Sequence, residues 1–171
     1  YFKDKKEAEE VSKKCLELGA EDVLVLQLNL MDDKSIKDVV GSVIKKYGQI
    51  DVLINNAGVI KYGNLEELNF NDIEFQIGVN LEGLIKITRE CLPHIKDTII
   101  NISSGAGIRA NGGYITYSAT KFGVRGFTQG LASELSRVKV YAVNPGATAT
   151  QMTGFMGQNP EEVAKVILKT A

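Results

Sequence analysis

The sequence is poor in cysteine and contains no long apolar run. Cys15 and Cys91 are too few for a disulfide framework and lack the spacing of metal ligands, so we interpret both as buried thiols of a reducing compartment. No window reaches the roughly 18 to 20 uncharged apolar residues that a membrane span needs. The first residues, YFKDKKEAEE, are too charged for a signal peptide. We therefore expect a cytoplasmic protein without a metal site.

An excess of charge of either sign is also missing. The chain has 20 Lys and Arg against 21 Asp and Glu, which gives a formal net charge of -1. This balance does not indicate disorder or a surface for nucleic acid or membranes, so we expect a small-molecule partner. Domains cluster at about 100 to 150 residues, and we interpret residues 1–171 as a single domain.

Helical and strand patterns alternate along the chain. Apolar residues recur at helical spacing in 4–19, 33–48, part of 65–95, 114–136 and 160–170. Short apolar runs typical of strands occupy 23–30, 51–55, 98–103 and 138–143. Strands that alternate with helices favour parallel βαβ units with both sheet faces covered. The predicted class is α/β, a doubly wound parallel sheet of the Rossmann-like, three-layer αβα type.

Polar residues and glycine follow three successive predicted strands. The segments are NNAG (55–58), NISSG (101–105) and NPGAT (144–148). Each alone is better explained as a turn, because Asn, Ser, Gly and Pro are ordinary turn residues. Ligands of such sheets bind beyond the carboxyl ends of the strands, and the three segments together predict a site at that edge.

Tyr117 and Lys121 are one helical turn apart, so both side chains can address one point. A nearby ammonium favours the phenolate and lowers the pKa of a tyrosine, which would make Tyr117 a usable proton donor. Ser104, thirteen residues before Tyr117, can hold the same substrate oxygen. The alternative is an exposed, solvated Tyr and Lys pair on a surface helix.

The set of motifs resembles the short-chain dehydrogenases/reductases. It comprises YSATK (117–121), Ser104 in NISSG, NNAG, GVNLEG (78–83) and NPGATAT (144–150). The resemblance implies that Tyr117 is the general acid/base and that Ser104 orients the substrate oxygen. It further implies that Lys121 binds the nicotinamide ribose and lowers the tyrosine pKa, while Asn80 holds a water of the proton relay.

The resemblance also implies a dinucleotide cofactor, NADP or NAD, with NADP slightly favoured. Asn55 is expected to be structural. The implied cofactor-binding residues are Asn29, Asn56, Ala57, Gly58, Tyr117, Lys121, Pro145, Gly146, Thr148 and Thr150.

The Gly-rich cofactor turn of this family, expected between a first strand and a first helix, is not found in the sequence. The glycine-rich segment 105–113 lies after the serine strand, where the family has a substrate-side loop. In the order 3-2-1-4-5-6, two empty strand positions would separate 23–30 from 51–55. The connections near 94–98 and 134–138 are short, and the family's C-terminal strand is missing. We therefore interpret the domain as incomplete at both ends and expect a longer protein of about 230 to 260 residues.

The implied function is that of an oxidoreductase that transfers a hydride between NAD(P)(H) and a ketone or secondary alcohol, as a 3-oxoacyl or other small carbonyl reductase. One alternative is a catalytically silent dinucleotide-binding regulator, or a truncated pseudoenzyme of the same family. A sugar-nucleotide epimerase also uses a Tyr and a Lys four residues apart, but NNAG and the lack of a larger substrate domain disfavour it. The family resemblance implies a homotetramer or homodimer.

Overall fold

The computed structural model describes residues 1–171. Its regular elements, in chain order, are α1 (Lys5–Glu17), α2 (Asp33–Tyr47), β1 (Ile50–Asn55), α3 (Phe70–Ile77), α4 (Leu84–Cys91), β2 (Ile95–Ile102), α5 (Ile115–Glu134), β3 (Lys139–Val143) and α6 (Pro160–Thr170). A π-helical segment, Gly78–Gly83, joins α3 directly to α4. No helix is both long enough and apolar enough to cross a membrane.

The three strands form one parallel sheet in the order β1-β2-β3. Asn55 of β1 is paired with Asn101 of β2, which is paired in turn with Ala142 of β3. The carboxyl ends of the strands therefore meet at one edge, as the three polar strand ends predict. The parallel sheet with flanking helices confirms the α/β, Rossmann-like class.

Helices cover both faces of β2. Ile99 packs in a core cluster with Ile87 of α4 and Leu131 of α5. The neighbouring Thr98 points to the opposite face because successive side chains alternate, and its hydroxyl donates to the Ala171 carbonyl at the end of α6 (3.4 Å). Further members of the core cluster are Ile36, Val40, Cys91 and Ile95.

Residues 23–30 do not form the strand that their apolar run predicts. A strand needs a neighbour whose backbone groups complete its ladder, and no strand lies between this segment and β1. Its backbone bonds instead to the chain start: the Leu28 N–H donates to the Tyr1 carbonyl (2.7 Å), and the Tyr1 ammonium donates to the Leu26 carbonyl (2.9 Å). The prediction of a strand at 23–30 is therefore wrong.

Helix α1 is confirmed, but its apolar side is not buried. None of its residues is buried, Val11 is 56% exposed, and Leu18 at its end is 87% exposed. The two connections that look short in the sequence are continuous. A single 3₁₀ turn (Leu92–His94) leads into β2, and residues 135–138 join α5 to β3, which is within the usual two to six residues.

A buried polar network ties β1 and β2 to the two helices above them. The Asn55 side-chain amide donates to Thr88 Oγ1 and to Asn101 Oδ1, both at 2.8 Å. Asn101 Nδ2 donates to Thr128 Oγ1 of α5 (2.9 Å). Asn55, expected to be structural, thus belongs to a network in which these buried amide N–H groups have partners, as buried groups require.

Thr128→Val is expected to lower the free energy of unfolding by about 1 to 3 kcal/mol, because it removes a hydroxyl but keeps the shape and leaves the Asn101 amide without an acceptor. Thr128→Ser keeps the hydroxyl and loses one methyl group, so it should cost less, about 0.8 kcal/mol. Denaturant unfolding of the two variants measures the difference. Equal losses for Val and Ser would show that the hydrogen bond contributes nothing.

Candidate active site

Helix α5 carries Tyr117 and Lys121 across the carboxyl end of β2. Lys121 is only 3% exposed, and its Nζ donates to the Ile102 carbonyl of β2 (2.8 Å). An ammonium has three donors, so two remain for other groups after this bond. The lysine is therefore a buried cation fixed at the edge where the sequence predicts a site, and not a member of an exposed pair.

The ionisation of this pair differs from the expectation. Burial lowers the pKa of Lys121 to about 8. Burial also raises the pKa of Tyr117 above its usual value; the neighbouring Ser104 hydroxyl acts in the opposite direction, and Tyr62 adds to the increase. Lys121 Nζ lies 5.6 Å from the centroid of the Tyr117 ring. The spacing alone predicts a lowered tyrosine pKa, whereas in the structure desolvation is the largest effect on the phenol and raises its pKa.

Ser104 lies just beyond β2 and begins a 3₁₀ turn, Gly105–Gly107. Its Oγ accepts a hydrogen bond from the Ala106 N–H (3.1 Å). Because this bond uses the oxygen as acceptor, the hydroxyl hydrogen stays available for an oxygen of a bound molecule. Ser104 and Tyr117 thus present two hydroxyl donors to the same region.

Asn80 is completely buried within the π-helical segment. Its Oδ1 accepts from the Val59 N–H (2.7 Å), and its Nδ2 donates to the Val59 carbonyl (2.7 Å) and to Thr120 Oγ1 (3.3 Å). One lone pair of Oδ1 remains. A Cβ atom built on Gly58 would lie 3.5 Å from both Asn80 Oδ1 and Lys121 Nζ. The two groups therefore face a common space beside Gly58.

Gly58 also lines an apolar cavity of about 300 Å³. Ala57, Gly58 and Asn29 line it, and the Asn29 Oδ1 is already engaged by the Met31 N–H (3.0 Å). The remaining lining residues are Tyr1, Phe2, Leu28, Leu30, Val59, Phe75 and Val79. A mostly apolar cleft with few polar groups suits a planar heteroaromatic ring. These residues fit the adenine side of a dinucleotide, while the neighbouring Asn56 is exposed.

The segment after β3 also lies at the site. The Pro145 carbonyl accepts from the Gly105 N–H (2.7 Å), which holds this segment against the turn that follows Ser104. The Thr148 hydroxyl donates to the Gly146 carbonyl (3.1 Å). Thr150 is exposed and caps the 3₁₀ turn Gln151–Thr153, so its hydrogen bonds stay within its own loop.

Gln76 is a second buried amide beside the site, and no motif of the sequence singles it out. It is fully buried, and its Oε1 accepts from the Lys61 N–H (3.0 Å) while its Nε2 donates to the Asp72 carbonyl (3.2 Å). Gln76 precedes Asn80 by four residues, and the two amides hold the segment from Val59 to Lys61. The signal in the sequence was the helical spacing of two amide side chains.

Comparison with known proteins matches residues 2–161 to the family model described as short chain dehydrogenase. The chain belongs to the short-chain dehydrogenase family. It is 39% identical to the 3-oxoacyl-[acyl-carrier-protein] reductase FabG of Thermotoga maritima, over 82% of this chain and 66% of the relative. It is 34% identical to a 3-oxoacyl-[acyl-carrier-protein] reductase of Synechocystis, over 94% of this chain and 67% of the relative.

Solved structures of short-chain dehydrogenases share the fold. A Burkholderia cenocepacia short chain dehydrogenase in complex with NADP superposes with a TM-score of 0.89 at 26% identity, over 98% of this chain and 76% of that one. A Serratia marcescens short-chain dehydrogenase/reductase mutant superposes with a TM-score of 0.90 at 26% identity, over 100% of this chain and 78% of that one. The chain thus spans about two thirds of the length of its curated relatives and about three quarters of these structures.

Proposed function

We propose that the protein is an NAD(P)-dependent oxidoreductase that interconverts a ketone and a secondary alcohol, with Tyr117 as general acid/base. The observation that carries this proposal is the buried Lys121 ammonium, held at the end of β2 beside the Tyr117 ring. Burying a lysine ammonium is costly unless it is paired, and Lys121 has no carboxylate partner among the ion pairs, so a function of the ammonium explains why it is buried here. The silent-regulator alternative gives no reason to keep this arrangement together with Ser104.

Each site residue then has a defined task. The Ser104 hydroxyl donates to the substrate oxygen and orients it, and the Tyr117 hydroxyl transfers its proton to that oxygen when a ketone is reduced. The free donors of Lys121 would hold the ribose hydroxyls of the nicotinamide half. A water between Asn80 Oδ1 and Lys121 Nζ, beside Gly58, restores the proton. When bound, the nicotinamide supplies or accepts the hydride.

Two groups of residues would make the cofactor contacts. Asn29, Asn56 and Ala57 hold the adenine side, where the apolar cavity lies. Residues 145–150 would hold the nicotinamide side, with Pro145 and Gly146 among the residues that contact it. The backbone of Thr148 would bind the carboxamide, and Thr150 would be a further contact on this side. NADP is favoured over NAD because one of the similar structures is an NADP complex.

The relatives support a substrate class. Two of them, at 34% and 39% identity, are 3-oxoacyl-[acyl-carrier-protein] reductases, and we infer that this protein reduces a 3-oxoacyl thioester. The natural assembly is a cytoplasmic homodimer or homotetramer. Ile77 and Phe122, large apolar residues on helices α3 and α5 that are 42% and 43% exposed, support burial of this face between subunits.

The test is turnover by the full-length protein with matched substrates. A 3-oxoacyl thioester is expected to oxidise NADPH faster than NADH, followed by the absorbance of the reduced nicotinamide. The saturated acyl thioester of equal length has no 3-oxo group and should give no oxidation. NADPH binding, seen as fluorescence quenching, without oxidation by any carbonyl compound would favour the regulator and contradict the proposal.

A further inference from the structure

The Ser104 turn, defined here as residues 103–107, is packed against helix α5. On its N-terminal side the turn continues β2, and Ser103 N–H donates to the Val143 carbonyl (2.8 Å). On its C-terminal side, residues 108–112 are exposed and offer little restraint. The position of Ser104 relative to Tyr117 therefore depends on what holds the turn to α5.

One contact is made by Ser103 at the beginning of the turn. Its hydroxyl donates to the Lys121 carbonyl of α5 (2.8 Å), and Ser103 is only 3% exposed. Lys121 in turn donates a hydrogen bond from its Nζ to the carbonyl of Ile102, the residue before Ser103. The residue that carries the catalytic ammonium thus also anchors the start of the Ser104 turn.

Gly107 brings the end of the turn directly onto the same residue of α5. A Cβ atom at Gly107 would lie 2.7 Å from the Lys121 carbonyl oxygen and 2.8 Å from its carbon. Real Cβ atoms do not approach that closely, and helix backbone cannot move aside as a flexible side chain can. Only glycine permits this distance between the turn and α5.

Arg125 of α5 makes the third contact between the helix and the Ser104 turn. It lies one turn beyond Lys121 and two turns beyond Tyr117, so all three residues occupy one face of α5. Its Nη1 donates to the Gly107 carbonyl (2.7 Å) in a partly buried position. Arg125 has no carboxylate partner among the ion pairs of the chain, so its guanidinium serves the turn.

We propose that Arg125 is a positioning residue that, with Ser103 and Gly107, holds the Ser104 turn against α5 and so sets the distance between the Ser104 and Tyr117 hydroxyls. This inference rests on the proposed function, in which those two hydroxyls address one substrate oxygen. Arg125 itself need not touch substrate or cofactor. Its effect on catalysis passes through the carbonyl of Gly107.

The first measurement is turnover by Arg125→Met, with Arg137→Met as the matched control because Arg137 is exposed and makes no side-chain hydrogen bond. Misplacing a reacting group by about 1 Å can cost 10²-fold in rate. We expect Arg125→Met to lower kcat by about tenfold to 10²-fold, with an unchanged KM for NADPH. Arg125→Lys should recover part of the loss, and Arg137→Met should resemble the wild type.

The second measurement does not depend on turnover. Spectrophotometric titration of tyrosine, taken as the difference between each protein and its Tyr117→Phe counterpart, reports the pKa of Tyr117. Because the Ser104 hydroxyl favours the phenolate, Arg125→Met and Ser103→Ala should both raise the Tyr117 pKa. Gly107→Ala should do so most strongly if it folds.

The outcomes separate the two proposals. A wild-type protein that binds NADPH but turns over no carbonyl contradicts the proposed function, whereas the tyrosine titration still tests the role of Arg125. A lower melting temperature for Arg125→Met with unchanged kcat and unchanged Tyr117 titration would show a purely structural role and overturn the inference. A change confined to the KM for NADPH would overturn it as well.

Discussion

Replacing Tyr117 with Phe is expected to lower kcat for carbonyl reduction by about 10²- to 10⁴-fold, the contribution that a positioned general acid typically makes. The ring stays in place because Tyr117 is 8% exposed and packs through its aromatic body. NADPH binding should be nearly unchanged, since the hydroxyl is the only group removed. Steady-state kinetics and fluorescence titration measure the two effects separately.

The matched control is Tyr114→Phe, three residues earlier. The Tyr114 hydroxyl accepts a hydrogen bond from Asn111 Nδ2 (2.8 Å), and both residues are at the site's outer edge. Loss of this hydroxyl should change kcat only slightly. Comparable losses for the two variants, or no loss for Tyr117→Phe, would show that Tyr117 is not the proton donor.

The direction of the Tyr117 pKa shift makes this prediction pH-dependent. Burial raises the pKa, so the phenol stays protonated at neutral pH and can act as an acid in reduction. Reduction should therefore be insensitive to Tyr117 ionisation near neutrality and decline only at alkaline pH. Alcohol oxidation needs the phenolate as base, so its rate should increase over the alkaline range in which the rate of reduction declines. Tyr117→Phe should abolish both dependences.

Periodicity and strand-end composition predicted most of the fold. The elements β1, α2, α5 and α6 lie within a few residues of the predicted ranges. Of the three helices, α2 and α5 bury residues of their local apolar pattern, Ile36 and Val40 in α2 and Val124 and Leu131 in α5. The apolar run at 23–30 carries the same signal as a strand but has no neighbour to pair with. A single segment does not reveal whether its partner is present, so this prediction failed.

The site shows the same division between local and long-range information. The spacing of Tyr117 and Lys121 and the interval to Ser104 are visible along the chain. The reversed pKa direction of Tyr117 is not, because it depends on how deeply several elements bury the phenol. The contact of Gly107 with Lys121 likewise joins residues fourteen positions apart through the packing of a turn on a helix.

Lys121→Met is expected to abolish most turnover and yet stabilise the folded protein at neutral pH. Burial lowers the lysine pKa from 10.5 to about 8, and each pKa unit corresponds to about 1.4 kcal/mol. The charged lysine therefore costs the folded state on the order of 3 kcal/mol. Loss of the hydrogen bond to the Ile102 carbonyl destabilises the variant by about 1 kcal/mol. A net gain of about 2 kcal/mol remains for methionine, alongside a fall in kcat of about 10²-fold or more.

The stability difference between Lys121→Met and the wild type is expected to depend on pH. Below the folded-state pKa of about 8, the lysine is protonated both folded and unfolded, and the full cost of the buried charge is present. As the pH rises from about 8 towards 10.5, the folded protein releases its proton before the unfolded chain does, so wild-type stability increases relative to Lys121→Met. The advantage of the variant should shrink and then disappear over this range.

Denaturant unfolding of both proteins at pH 7 and at several higher values measures this difference directly. The exposed Lys13→Met substitution is the control and should leave the pH dependence of stability unchanged. A Lys121→Met protein that is less stable than the wild type at pH 7 would mean that packing around Nζ compensates the buried charge. If the expected gain is found, the protein retains a destabilising buried cation because the site needs its ammonium, which is the stability cost expected of a functional residue.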